Sequence, residues 1–349
     1  MMQLTQRLGN FLLRYNTFCL FVAVFIYFGL SADNFFSLEN SLNIVKQAAF
    51  VGIIAIGMTF VMLTAGIDLS VGSNMYLSAM TVGYFLQLPG LQGPIGVAAG
   101  ILVGLLTGAA FGAVNGYFVV VVRISPFLVT LATMVAGHGL VTAITESFGI
   151  DYPRAYIAFG ASSVLGIPVP IAIFLVVLLA AHIVLTRTPF GRQLYAIGND
   201  AEAARKVGID VRRAIFSVYV ISGVLSALAG VLLIALVGRL NQTFGVGKEF
   251  DVITAAVLGG TSLFGGVGTA FGAVVGSVLV QMVQTGLVFL KINLYLQPMV
   301  LAAIIFIAVF FDSLRGMRLA KLSRRFIRTE SSENLTARSN DLVVKQAGE

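Results

Sequence analysis

Apolar residues run through this chain in long blocks separated by short polar clusters. The breaks mark out segments of helical length near 17–32, 47–64, 74–88, 96–122, 127–147, 168–186, 214–237, 251–264, 270–290 and 295–312. A helix crosses a bilayer with about 20 mostly apolar residues. The pattern therefore predicts an all-α, polytopic membrane protein of about ten transmembrane helices. The first segment follows Arg7 and Arg14 in the charge order of a secretory signal. Its apolar part exceeds the roughly 7 to 15 residues of a signal core, so it is read as a retained span.

Composition agrees. Of 349 residues, 58% are hydrophobic and 11% charged, with a mean hydropathy of +0.96. Almost no chain remains for a soluble catalytic domain: a membrane domain over 1–325 is followed by a polar, aperiodic tail, 326–349, expected to be disordered. Cys19 has no cysteine partner, which excludes an intrachain disulfide and a thiolate metal cluster. His138 and His182 lie in apolar sequence without metal-ligand spacing and read as packed helix residues.

Basic residues orient the spans. With the N-terminus inside, Arg7, Arg14, Arg123, the Arg187 to Arg213 loop and the chain after Leu314 are cytoplasmic. Of 22 Lys and Arg, only Lys46, Arg154, Arg239, Lys248 and Lys291 fall on the other side, and both termini are expected in the cytoplasm. The net charge of +7 does not point to nucleic acid, because the basic residues are juxtamembrane and no recognition module accompanies them. Anionic lipid headgroups fit them better.

The chain also repeats itself. "GPIGVAAGILVG" (Gly93 to Gly104) aligns with "GGVGTAFGAVVG" (Gly265 to Gly276), four glycines coinciding, and the same offset of 172 places Pro126 on Pro298. The first stretch begins on the outer side and the second on the inner, so the halves, about 47–147 and 214–312, are expected to be an inverted internal repeat. That architecture belongs to transporters that alternate access, and also occurs in channels.

At the same offset "LTAGIDLSVGS" (Leu63 to Ser73) meets "ALVGRLNQTFG" (Ala235 to Gly245). An aspartate facing lipid at mid-span costs about 2.5 to 3.5 kcal/mol, so Asp68 should face a polar cavity, a helix end or water. Gly66 and Gly72 permit a break, and Ser70 and Ser73 are expected to cap the next helix. Two readings stand for Asp68: a helix cap at the membrane surface, or part of a cytoplasmic gate or pathway wall.

Three segments carry a family resemblance: "GMTFVMLTAGIDLSVGS", "TPFGRQLYAIGNDAEAARKVGIDV" and "FDVITAAVLGGTSLFGGVGT". Together they resemble the permease subunits of bacterial ATP-binding cassette importers for monosaccharides, of the ribose, xylose and galactose kind, over about Phe35 to Asp312. On its own residues, "DAEAARKVGI" reads as a short surface helix capped by Asp200. Glu202 is spaced to pair with Arg205 or Lys206, and Ala203, Val207 and Ile209 offer apolar contact. The resemblance implies that this loop, 187–213, docks on an ATPase subunit through Gly198, Asn199, Asp200, Glu202, Ala203, Ala204, Arg205 and Gly208. Asp200-Ala201 departs from the family, where a proline often precedes the glutamate.

The ATPase must be another chain, which would bind the ATP and magnesium, because no GxxxxGK[ST] occurs here. No cofactor is expected in this chain, and it is not read as an enzyme. The implied partners are that ATPase, a periplasmic sugar-binding protein and a second permease copy or paralogue, in the bacterial inner membrane. A neutral sugar calls for amides and hydroxyls along its path. Asn74 and Ser78 share a helix face, as do Gln281, Gln284 and Thr285, and Asn115 is a further candidate. The rivals are an importer of the same architecture for a polyol, a signalling diol or a branched-chain amino acid, and an ion-coupled carrier. The spans hold few titratable residues for a proton relay, which counts against the last.

Overall fold

The structure, a computed structural model, describes residues 16–310 apart from 33, 294, 305 and 307–309. The described residues up to Val300 form one compact unit, and those from Leu301 on belong to a second. The expected tail, 326–349, and the end of the expected last span lie outside the described residues.

The helices are α1 (Asn16–Ser31), α2 (Leu38–Leu63), α3 (Val71–Gln87), α4 (Pro94–Tyr117), α5 (Pro126–Ile144), α6 (Arg154–Ala161), α7 (Val169–Arg187), α8 (Pro189–Asn199), α9 (Ala201–Lys206), α10 (Val211–Val237), α11 (Lys248–Leu258) and α12 (Ala270–Phe289). A π-helical turn, Phe118–Val122, prolongs α4. Among the described residues strand structure is confined to β1 (Ile150–Asp151) paired antiparallel with β4 (Arg239–Leu240), and the hairpin of β2 (Ser163–Val164) and β3 (Ile167–Pro168). Among the described residues six helices are long and apolar enough to cross a membrane: Leu38–Leu63, Pro94–Val122, Pro126–Ile144, Val169–Arg187, Val211–Val237 and Ala270–Phe289.

The centre of the bundle is α2. It is apolar on every side, which is the signature of a helix buried all round, and every residue from Ala48 to Leu63 is buried. It begins at Leu38, ahead of the expected 47, because the Ser37 hydroxyl accepts the Asn40 N–H at 3.2 Å and starts the helix within polar sequence. α7, α10, α11 and α12 surround it.

Lipid supplies no hydrophobic drive between helices, so close backbone approach has to hold them. On α4, Gly104, Gly108, Gly112 and Gly116 recur every four residues along the face against α10. A Cβ at Gly112 would collide with the Tyr219 carbonyl, and one at Gly108 with Ala227 and the Gly223 carbonyl.

One expected span comes out short: the run expected over 251–264 is helical only to Leu258, whereas α3, with 17 residues over Val71–Gln87, is slightly longer than its expected 74–88. Gly260, Gly265 and Gly266 hold φ of 88°, 89° and 72°, a left-handed backbone that ends the helix and turns the chain toward α12.

Candidate functional site

Between α2 and α3 the chain turns back into the bundle. Ala65 takes φ 58°, and residues 64–70 carry Asp68 to Ser222, 11 residues into α10 and so roughly 16 Å along it. Asp68 is 2% exposed. One carboxylate oxygen accepts the Ser70 N–H at 3.0 Å and the Ser70 hydroxyl at 2.6 Å; the other accepts the Ser222 hydroxyl at 2.8 Å. These three donors compensate the removal of a charge from water.

Ser70 does not cap α3, against expectation. Its hydroxyl donates to Asp68 and accepts from Asn115 Nδ2 at 2.8 Å, while the Ser73 hydroxyl donates to the Ser70 carbonyl at 2.8 Å. Asn115 in turn accepts the Thr133 hydroxyl of α5 at 2.8 Å. Asn74 donates to the Gly223 carbonyl of α10 at 3.0 Å and to that of Gly108 on α4 at 3.4 Å, and Ser78 donates to Asn74 at 3.2 Å. Asp68, Ser70, Asn74, Ser78 and Asn115 thus form a buried set of polar anchors tying the start of α3 to α4, α5 and α10. Asp68 sits in the interior of the bundle and not at a surface cap.

Gln281 and Gln284 belong elsewhere. Gln284 Nε2 donates to Asp251 Oδ1 at 3.1 Å, and Lys248 Nζ binds the other oxygen of Asp251 at 2.9 Å. Among the described residues Gln281 reaches only Thr285, at 3.4 Å. Lys248 and Asp251 open α11 and keep 32% and 13% of their side chains exposed. Sequence reasoning passed over both, counting Asp251 as the edge of an apolar run. A carboxylate three residues after a lysine at the head of such a run was the available signal. The start of α11 lies close to the start of α3: Gly72 and Gly245 meet backbone to backbone, with no room for a Cβ on either.

The third constellation is the α8–α9 elbow. The Thr188 hydroxyl caps α8 by accepting the Gly191 N–H at 3.2 Å, and Asp200 caps α9 by accepting the Glu202 and Ala203 N–H groups at 2.9 Å, as expected. Glu202 pairs with neither Arg205 nor Lys206; among the described residues the ion pairs are Arg213–Asp210, Arg239–Asp151 and Lys248–Asp251. Ala204 is buried, whereas Asn199, Glu202, Ala203, Arg205 and Gly208 are exposed, and Val207 stands 77% exposed.

The inner side of the elbow grips two segments at once. Gly198 lies against the Leu63 carbonyl, the last of α2, and against Gly266, whose N–H donates to that same carbonyl at 3.0 Å. The Tyr195 hydroxyl donates to the Gly268 carbonyl at 2.8 Å, and burial pushes the Tyr195 phenol up, which keeps it a donor. Leu63 precedes Asp68 by five residues and Gly268 lies two residues before the start of α12. A displacement of α8 therefore reaches both. His138 lies tilted against Tyr76, ring centres 4.9 Å apart, and His182 meets Phe271 edge-on at 5.1 Å, packed as expected.

A buried core of helices long and apolar enough to cross a membrane, with an exposed elbow at one end, defines a multi-pass membrane protein. Residues 40–309 match the family model described as the permease component of the branched-chain amino acid transport system, and the chain belongs to that family. Among individual relatives, the ribose import permease protein RbsC of Haemophilus influenzae is 36% identical over 89% of this chain and 97% of its own length. The D-allose transport system permease protein AlsC of Escherichia coli is 36% identical over 86% of this chain and 92% of its own. The xylose transport system permease protein XylH of Escherichia coli is 31% identical over 84% and 89%. No solved structure matches the chain.

Proposed function

We propose that this chain is the membrane permease subunit of an ATP-driven importer for a monosaccharide, delivered by a periplasmic binding protein and moved by a separate ATPase subunit that binds the ATP and magnesium. The observation that carries the mechanism is the seat of Gly198 between Leu63 and Gly266, which joins an exposed elbow to the ends of α2 and α12. The choice of solute rests on the sugar permeases to which the chain is similar. In this reading the ATPase meets Asn199, Glu202, Ala203 and Val207, and its closure shifts α8 so that the buried anchors at Asp68 and the polar group at Asp251 change their spacing. The conduit forms against a second permease copy or a paralogue, in the inner membrane, with both termini cytoplasmic.

The inverted repeat is part of the proposal. Supporting it, an offset of 172 carries α2 onto 210–235, against α10 at Val211–Val237, and α4 onto 266–289, against α12 at Ala270–Phe289. The same offset relates Leu63, which meets Gly198, to Ala235, whose backbone meets Gly160 of α6. Both α3 and α11 start inside the bundle after a chain reversal, the broken-helix device of transporters. The test is uptake by proteoliposomes containing this chain with its ATPase and binding protein, against labelled ribose, allose, xylose and leucine. Sugar accumulation that needs ATP supports the reading. Accumulation of leucine alone would replace the solute with the one that the family description names.

A further inference from the structure

At the end of the bundle that carries the elbow, a cavity of about 600 Å³ opens between the Phe118–Val122 turn and the junction of α9 with α10. Three guanidinium groups line it from three separate segments: Arg123 after the turn, Arg205 on α9 and Arg212 on α10. Among the described residues none of the three has an ion-pair partner. The one acid in the lining, Asp210, is held instead by Arg213, whose Nε lies 3.0 Å from the carboxylate and whose N–H donates to it at 3.0 Å. The cavity therefore gathers three uncompensated positive charges. Its remaining wall is apolar, with Val119 and Ile215 among the lining residues.

We propose that this cavity binds the phosphate headgroup of an anionic phospholipid. The mixed lining matches such a molecule, since guanidinium groups engage phosphate oxygens in forked pairs and the apolar wall suits the glycerol and first acyl carbons. Its location matches too: the cavity sits where the spans Pro94–Val122 and Val211–Val237 end, which is headgroup depth for helices of that length. Phe118, Val121 and Phe216 are exposed beside it, an apolar track for an acyl chain. An inorganic anion has no use for that track. The bound headgroup bridges α4 and α10 to α9, so occupancy stiffens the elbow. This assignment does not depend on which solute the permease moves.

The test is native mass spectrometry of the full chain, delipidated in mild detergent and titrated with phosphatidylglycerol, cardiolipin, phosphatidylcholine or inorganic phosphate. Each basic side chain at such a surface is worth a factor of about five in lipid binding. Arg123→Gln, Arg205→Gln and Arg212→Gln should each lower phosphatidylglycerol binding by about that factor, and the triple variant by about a hundredfold, to the phosphatidylcholine level. Arg154→Gln, an equal loss of charge on α6, which packs against the opposite end of α10, should leave it unchanged. Unaltered lipid binding in a triple variant that keeps its gel-filtration profile would overturn the proposal. So would displacement of the lipid by millimolar phosphate, which would make this a free-anion site. If the triple variant lost only its grip on the ATPase subunit and not on lipid, the cavity would be a protein contact and the proposal wrong.

Discussion

Removing the Asp68 carboxylate tests the interior anchor most sharply. In Asp68→Ala, three donors lose their acceptor: the Ser70 N–H, the Ser70 hydroxyl and the Ser222 hydroxyl. The Ser222 hydroxyl is free to turn to the carbonyl four residues back on its own helix, as Ser226 already does to Ser222 at 2.7 Å. Two donors then stay buried without a partner, at about 1 to 3 kcal/mol each, so the loss is about 2 to 6 kcal/mol. Asp68→Asn keeps one oxygen for both Ser70 donors, and its amide donates to the Ser222 oxygen. That exchange costs about 1 kcal/mol. Thermal unfolding in detergent, followed by gel filtration of the heated samples, should rank wild type above Asp68→Asn and Asp68→Asn well above Asp68→Ala. Equal melting of Asp68→Ala and wild type would refute the anchor, since a stranded pair of donors cannot be free of cost in a dry interior.

Three further outcomes follow from the same geometry. Gly112→Val forces α4 away from the Tyr219 carbonyl, and the yield of monodisperse protein should fall severalfold while Gly139→Ala, which meets open space, leaves it unchanged. Asp251→Ala strands both Lys248 and Gln284, and should reduce solute uptake far more than Gln281→Ala, which gives up a single contact of 3.4 Å. Tyr195→Phe removes the hydrogen bond to Gly268 and should lower stability by about 1 kcal/mol in chemical unfolding, with the elbow still in place.

Much of this was legible in the sequence because lipid makes hydropathy a strong signal. The spans α4, α5, α7, α10 and α12 appear where apolar runs predict them, and Asp200 caps α9 as its position before a helix-forming stretch implies. What escaped depends on partners far along the chain. Ser70 looks like a cap until Ser222 and Asn115, 154 residues beyond Asp68 and 45 beyond Ser70, bring their own hydrogen bonds to the same spot. Asp68 announced itself by its cost in an apolar tract, yet only the reversal at Ala65 decides that it points inward. The expected Glu202 pairs failed for a simpler reason: α9 has six residues and these charges are exposed, where water competes with the ion pair. Glycine spacing on α4 suggested a repeat; its direct structural use is the close approach to α10.

The central claim is that an ATPase acts on this permease through the elbow. The most direct measurement is ATP-dependent sugar accumulation in proteoliposomes holding the ATPase and binding protein with either wild type or Gly198→Val, a change that pushes α8 off the Leu63 carbonyl. The account predicts accumulation by wild type and its loss in Gly198→Val, while the ATPase continues to hydrolyse ATP. Accumulation without the ATPase subunit, or undiminished accumulation by a folded Gly198→Val permease, would contradict it.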